Sequence, residues 1–332
     1  MKYSIQTIQK TDILIIGAGF AGLYLSHILQ SEKHIQHNKF LIVAPDKKTV
    51  SDKSYYNFRS RGIKQTSLKN SMQQAGQKKN NAQLVNIFVN NIDDEITRLS
   101  YIVALKPSYL GVQVMQPKTL LNKLKNKAKP YRLIGAVKKV QKINREIIVE
   151  TTMGTIYCKK LVFCGGGNRA RFSTKFSDEK ISYDIFQVAR DVGCTTKALN
   201  KVMYHPFYSN GVCVPSDSLF DFDIVDQDGN RLSKTCQLLR AHNAHHCFEE
   251  ICEEFEKTKQ RFAVKGTKKI KLEIEPHYTL GGIKINKYGQ TNIKHIYALG
   301  ECAYGTHGYG RLGGCALSEI IVMARVIARN MV

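Results

Sequence analysis

The first strong feature of the chain is an unbroken apolar run, Ile13, Leu14, Ile15 and Ile16, that stops at a glycine. Such a run is the pattern of a strand buried on both faces, and the residues beyond it predict a helix from near Ala21. A second apolar run over 40–43 ends at Ala44-Pro45-Asp46. Residues 47–80 are rich in Lys, Ser, Asn and Gln, so they are expected to run over the surface or line a ligand groove. Leu84, Ile87, Phe88, Ile92, Ile96 and Leu99 recur at three- and four-residue intervals and predict a helix over 81–99. Residues 117–129 have the pattern of a basic amphipathic helix. The rhythm then shortens to strands at 134–137, 147–149, 155–157 and 161–163, a meander that returns to the first sheet. A helix is expected over 183–192. The stretch 206–276 differs in character, with a strand and turn near 224–229 and a Glu-rich helix over 243–259. Strand, glycine loops and a helix over 317–330 close the sequence.

Composition narrows the class. With 43% hydrophobic and 23% charged residues among 332, the sequence is that of an ordinary globular protein. No apolar run approaches the roughly 20 residues that span a bilayer, so a transmembrane protein is not expected. The apolar stretch at 13–25 has no basic segment directly before it, so secretion is not expected. Nine scattered cysteines show no disulfide framework and imply a reducing, cytoplasmic setting. The formal charge of +23 is unusual. Its lysines, dense at 118–129, 138–142 and 265–271, attract anions such as dicarboxylates, nucleotides, anionic lipids or an acidic partner protein. Diffuse charge steers without specifying, and no helix-turn-helix, zinc-finger or RNA-recognition signature accompanies it, so no specific nucleic acid is expected.

The chemistry is carried by glycines. Gly17, Gly19 and Gly22 stand as G-x-G-x-x-G directly after the first strand and open the first helix. In that context the first glycine makes the turn, the second admits a pyrophosphate to the backbone, and the third lets helix and strand pack. Asp46, at the end of the next strand, is a candidate for a ribose hydroxyl, although Pro45 beside it departs from the usual pattern. Gly165 and Gly166 follow another apolar strand and bring backbone to the same kind of sheet edge. These features predict an α/β fold of Rossmann type with a mostly parallel sheet. A third constellation joins His277, Gly300, Glu301, His307 and Arg311 with interleaved glycines. Arginine offers two donors to a carboxylate, imidazole bonds another or moves a proton, and glutamate accepts from a sugar-like hydroxyl chain. His242, His245, His246, Cys247 and Cys252 lack a second ligand pair at zinc-like spacing, so no metal is expected.

Several of these pieces together resemble the succinate dehydrogenase/fumarate reductase flavoprotein and L-aspartate oxidase family. They are the first glycine motif, an "AG…LV" helix at Ala75, Gly76, Leu84 and Val85, and Tyr204-His205-Pro206, which is similar to the family's "FHP". Three C-terminal blocks at 277–282, 296–301 and 307–317 match "HYTMGG", "GLYAAGE" and "HGANRLGGNSL". The resemblance implies an FAD cofactor with its pyrophosphate on Gly17, Gly19 and Gly22. It places the ribityl chain on Glu301 and the isoalloxazine ring by the backbone of Ala316 and Leu317. His277 and Arg311 would grip a substrate carboxylate, with His205 at the same site. Tyr55 stands where succinate dehydrogenases attach flavin covalently, so FAD is expected to be non-covalent. Ser218 stands where the family has a proton-donating arginine, which leaves Arg240 or a histidine of the 206–276 insertion as a replacement. The implied organisation is an FAD-binding domain, 1–205 and 277–332, interrupted by a small α+β capping domain over 206–276. The implied function is hydride transfer between flavin and succinate, fumarate or L-aspartate. The alternative is a non-catalytic FAD-binding subunit, with an acidic or iron–sulfur protein as partner.

Overall fold

The structure is a computed structural model that describes residues 7–31, 39–45, 56–59, 65–107, 112–115, 117–168, 172, 184–240 and 248–331. Asp46, Tyr55, His242, His245, His246 and Cys247 lie outside the described residues. Contacts divide the chain into one compact unit of 1–168, 179–201 and 279–332, and a second of 169–178 and 202–278.

The first unit is built on a seven-stranded sheet. Strand Thr7–Ile16 runs parallel to Phe40–Ala44 on one side and to Gly154–Phe163 on the other. The short strand Arg132–Ile134 extends the sheet beyond Phe40–Ala44, again parallel. The sequence pattern at 155–157 and 161–163 suggested two strands, but Gly154–Phe163 is one, because Lys159 and Lys160 interrupt the apolar pattern without interrupting the ladder. Its length lets it serve two neighbours along one edge. Its first half pairs antiparallel with Glu146–Thr151, itself paired with Val137–Ile143, and its second half pairs parallel with Ile296–Ala298. The sheet is therefore mostly parallel, with the meander as its antiparallel part, as the sequence pattern implies.

Helices form where the apolar period is 3.6. Helix Ala82–Ser100 starts at Asn81, whose Oδ1 accepts from Gln83 N–H at 2.9 Å and caps the first turn. Its stripe of Leu84, Val85, Phe88, Val89, Ile92, Ile96 and Leu99 is buried, each such side chain contributing about 1.5–3 kcal/mol. The buried carboxylate of Glu95 ties this helix to Arg325 of the C-terminal helix. That last helix spans Cys315–Asn330, two residues earlier than its apolar stripe suggested. The "AG…LV" element is not one helix. Helix Gln65–Ala75 ends before Gly76, and Leu84 and Val85 belong to the next. A Cβ on Gly76 would overlap the Asn80 side chain, which bonds back to Met72 O at 3.2 Å, so the chain must turn there.

The second unit contains a five-stranded sheet in the order Val212–Cys213, Val202–Ser209, Lys268–Thr279, Arg261–Lys265, Asp223–Asp226. Helices Ser233–Arg240 and Phe248–Glu256 accompany it. The described part of the Glu-rich helix thus begins at Phe248. Phe207, Leu219, Phe222, Ile224, Ile251 and Phe255 lead a separate small core.

Candidate functional site

Register brings three glycine turns to one edge of the first unit. Ile16 pairs with Phe163, and Phe163 with Ala298, so all three strands end side by side. Each then enters a turn: 17–19, 164–167 and 299–301. Gly17 has φ +116 and an added Cβ would overlap the Cys164 carbonyl, so only glycine fits between the first two turns. A Cβ on Gly22 would overlap Gly17 O, which is the close helix–strand approach the motif requires. Gly19 and Gly166 are different, because a Cβ on either would meet no atom within 4 Å. Their open sides leave bare backbone facing free space at the strand ends, the room a pyrophosphate needs. Gly165, by contrast, packs on the Ile185 side chain.

Two helices begin at this edge. A Cβ on Gly300 would sit 3.2 Å from Ala21 and 3.3 Å from Ile320, so that turn lies between the first turn of helix Phe20–Ser31 and the second turn of helix Cys315–Asn330. Neither helix has an acid in its first turn, and both present the partial positive charge of their N–H groups. Ala316 and Leu317 belong to the opening turn of the second. Glu301 accepts from Thr279 N–H through Oε1 at 2.8 Å, and Thr279 Oγ1 accepts from Asn168 N–H at 2.9 Å. This bracing holds the carboxylate against the 164–168 turn.

The loop before the C-terminal helix carries His307 and Arg311, both buried. It is seated on the turn after Gln65–Ala75: Tyr309 N–H donates to Gly76 O at 3.1 Å, and Asn80 Nδ2 donates to Thr306 O at 2.9 Å. Burial, and then the neighbouring Arg311 cation, pushes the His307 pKa down to about 3. At neutral pH its ring is therefore uncharged and serves as a hydrogen-bonding group. Behind it, Thr306 Oγ1 donates to Glu319 Oε1 at 3.1 Å, and burial lifts that carboxyl to about 8. Sequence reasoning missed Glu319, although one acid in an otherwise apolar helical stripe is a readable signal. It also missed Arg59, buried on the short strand Tyr56–Arg59 within the polar stretch.

The second unit holds His205 and His277 on its neighbouring strands Val202–Ser209 and Lys268–Thr279, with ring centroids 4.9 Å apart. Tyr208 Oη lies 2.9 Å from His277 Nδ1. His205 Nδ1 accepts from Phe207 N–H at 3.1 Å, so in the neutral ring the hydrogen sits on Nε2, which lies 3.6 Å from Cys213 Sγ. Ser218 is exposed in the short 3-10 turn Ser216–Leu219, and its hydroxyl donates to Pro215 O at 2.7 Å. Arg240 is also exposed and pairs with Asp223 at 3.0 Å, which Arg231 shares at 3.2 Å. Among the described residues, no group of three or more His, Cys, Asp or Glu is placed to hold a metal ion, and no helix is long and apolar enough to cross a membrane.

Parallel strands that deliver glycine turns to one edge, beneath two helix N-termini and with open backbone between, define a dinucleotide-binding α/β protein. The chain belongs to the FAD binding domain family, whose model matches residues 127–317. Its cofactor is FAD, and the open glycine positions fit it. Over 56 residues the chain is 43% identical to one component of the fumarate reductase (CoM/CoB) of Methanothermobacter marburgensis, covering 16% of this chain and 10% of that one. Over 51 residues it is 49% identical to the fumarate reductase flavoprotein subunit of Haemophilus influenzae, covering 15% and 8%. L-aspartate oxidase of Vibrio cholerae is 40% identical over 57 residues, covering 17% and 11%. These matches span only about a tenth of the curated relatives, and they bear out the resemblance read from the motifs. In fold, the chain is similar to a quinol fumarate reductase of E. coli, with a TM-score of 0.77 at 16% identity over 98% of this chain and 70% of that one. It is also similar to a 3-ketosteroid dehydrogenase of Rhodococcus jostii, with a TM-score of 0.63 at 9% identity over 97% of both.

Proposed function

We propose that this protein is an FAD-dependent oxidoreductase that moves a hydride between flavin and a small dicarboxylate, succinate or fumarate, or L-aspartate. The observation that carries the reading is a buried arginine beside a neutral buried histidine, Arg311 and His307, on the loop that leads into the helix facing Gly300. A guanidinium's planar fork offers two parallel donors to a carboxylate, and such a charge-assisted pair is stronger away from water.

The roles follow residue by residue. The backbone at Gly17, Gly19, Gly22 and Gly166 receives the pyrophosphate, Glu301 the ribityl hydroxyls, and the amides at Ala316 and Leu317 flank the ring. FAD supplies hydride acceptance and donation when bound. Arg311 orients a substrate carboxylate, and His307, uncharged, adds a directional hydrogen bond without a competing positive charge. In the second unit, His277 is held by Tyr208 through Nδ1 and His205 lies beside it with Nε2 toward Cys213 Sγ, and the family resemblance makes each a candidate for the substrate carboxylate. Positioning of this kind lowers the barrier by fixing the reacting C–H against the acceptor. The cofactor is held without a covalent bond, so acid precipitation should release all yellow colour into the supernatant.

A second reading is favoured by a specific observation. Ser218 is a neutral hydroxyl bonded to Pro215 O and Arg240 is engaged with Asp223, which supports a chain without the family's cationic acid. On that reading the chain binds FAD without turnover and acts with an acidic or iron–sulfur protein. Anaerobic stopped-flow absorbance separates the two. Bleaching of the oxidised protein by succinate or L-aspartate, or reoxidation of the dithionite-reduced protein by fumarate, supports the oxidoreductase. A bound flavin that ignores all three compounds overturns it in favour of the second reading.

A further inference from the structure

Strand Tyr56–Arg59 ends in a cation that the proposed chemistry does not use. Arg59 is only 5% exposed and follows the fully buried Phe58 at the end of the strand. Its backbone is fastened to the start of the C-terminal helix: Arg59 N–H donates to Ser318 Oγ at 2.8 Å, and Ser318 Oγ donates to Arg59 O at 3.1 Å. Its side chain donates from Nε to Gly313 O at 2.7 Å. Among the described residues no carboxylate pairs with its guanidinium. The charge is felt at the helix start. Burial raises the Cys315 thiol to about 11, while Arg59 and then Arg311 pull it back. The helix itself has 16 residues, begins at Gly314 with φ 78, and has no side-chain cap.

Two independent features therefore ask for negative charge at one place: an uncapped helix N-terminus and a buried cation without a carboxylate. We propose that Arg59 is an anion-stabilising residue that, with the N-terminus of helix Cys315–Asn330, takes up the negative charge acquired by the flavin ring on reduction. The inference rests on the FAD reading given above. Two electrons and one proton leave the reduced ring with one negative charge, and dithionite is the reductant in the test. Arg59 favours that state electrostatically and forms no bond to it. Since its fold-bearing contacts are made mainly by the backbone, Arg59→Gln and Arg59→Met are expected to fold.

The experiment uses the full chain loaded with FAD and reads the midpoint potential against reference dyes. In R59Q the bound flavin should be at least tenfold harder to reduce, a fall of about 30 mV for a two-electron couple, with R59M behaving alike and R59K recovering more than half of the fall. In the unsubstituted chain above pH 7, the potential should fall about 30 mV per pH unit, one proton for two electrons. A slope of about 59 mV, two protons, overturns the proposal, as does an R59Q potential equal to that of the unsubstituted protein. If the unsubstituted protein retains no FAD, the cofactor reading itself fails. Retention with an unmoved potential defeats this inference alone.

Discussion

The two units treat polar side chains in opposite ways. In the first, Arg59, Glu95, His307, Arg311 and Glu319 are all less than one-tenth exposed. In the second, Asp221, Asp223, Arg231, Arg240 and Lys265 pair with one another in solvent, and its buried polar groups include His205, Thr235 and Glu275. Surface ion pairs contribute about 0–1 kcal/mol each and need no function to explain them. Buried charges cost several kcal/mol unless something answers them. The contrast teaches where to look: in the first unit burial holds His307 and Glu319 in their uncharged forms and sets Glu95 against Arg325, so its polar groups are committed to specific partners rather than to solvent.

The comparison can be broken by substitution, and the glycines give the largest effect. Gly22→Ala drives a methyl into Gly17 O and is expected to cost at least about 3 kcal/mol, leaving little soluble yellow protein. Gly19→Ala meets nothing, so stability should change by less than about 1 kcal/mol while FAD affinity falls roughly tenfold. Urea unfolding and FAD titration of the pair test this, and equal stability losses would remove the argument that Gly19 faces a ligand. Next comes the small core of the second unit. Phe255→Ala, at a fully buried site, is expected to cost roughly 3–5 kcal/mol, measured by the same unfolding curves.

Glu319 sharpens the contrast through pH. Burial holds its folded pKa near 8 against an ordinary 4.5. Its proton binding therefore supports the fold fully below pH 4.5, and that support is lost as pH rises toward 8. Glu319→Gln keeps the shape and removes the titration, so the decline in stability between pH 5 and 8 should flatten. Unfolding free energies at pH 5, 6.5 and 8 decide it, and an unchanged slope in the variant sinks the idea. The smallest effect belongs to the surface of the second unit. Arg240→Ala should cost less than about 1 kcal/mol and leave flavin reduction rates unaltered. A rate loss of tenfold would return Arg240 to the list of candidate acids.

Much of this was readable in the residues. Ile13–Ile16 followed by Gly17 announced the first strand and turn, and the heptad-like run from Leu84 to Leu99 placed its helix within a residue at each end. What escaped did so for local reasons. Helix Gln65–Ala75 buries little more than Leu68 and Met72 along its described part, one turn apart, too narrow a stripe to stand out in polar sequence. Arg59 follows the buried Phe58 at the end of a four-residue strand, so no alternation marks it as inward. Among the candidate ligands, the glycines, Glu301, His307 and Arg311 were legible because each stands in a dense motif. The bracing by Thr279, Thr306 and Glu319 was not, because a motif does not show which side chains its hydroxyls and acids will meet, such as Asn168 for Thr279.

The long strand Gly154–Phe163 has a consequence for the birth of the molecule. Its partners come from residues 7–16 and 296–298, so the nucleotide edge joins segments nearly 290 residues apart. Parallel pairings of such separation close late and slowly. On a ribosome adding about 5–20 residues each second, the first strand waits at least ~15 s for the last. Until the 299–301 turn emerges, the apolar edge of 161–163 has no neighbour on that side, an opening for a chaperone to cover or for another nascent chain to capture.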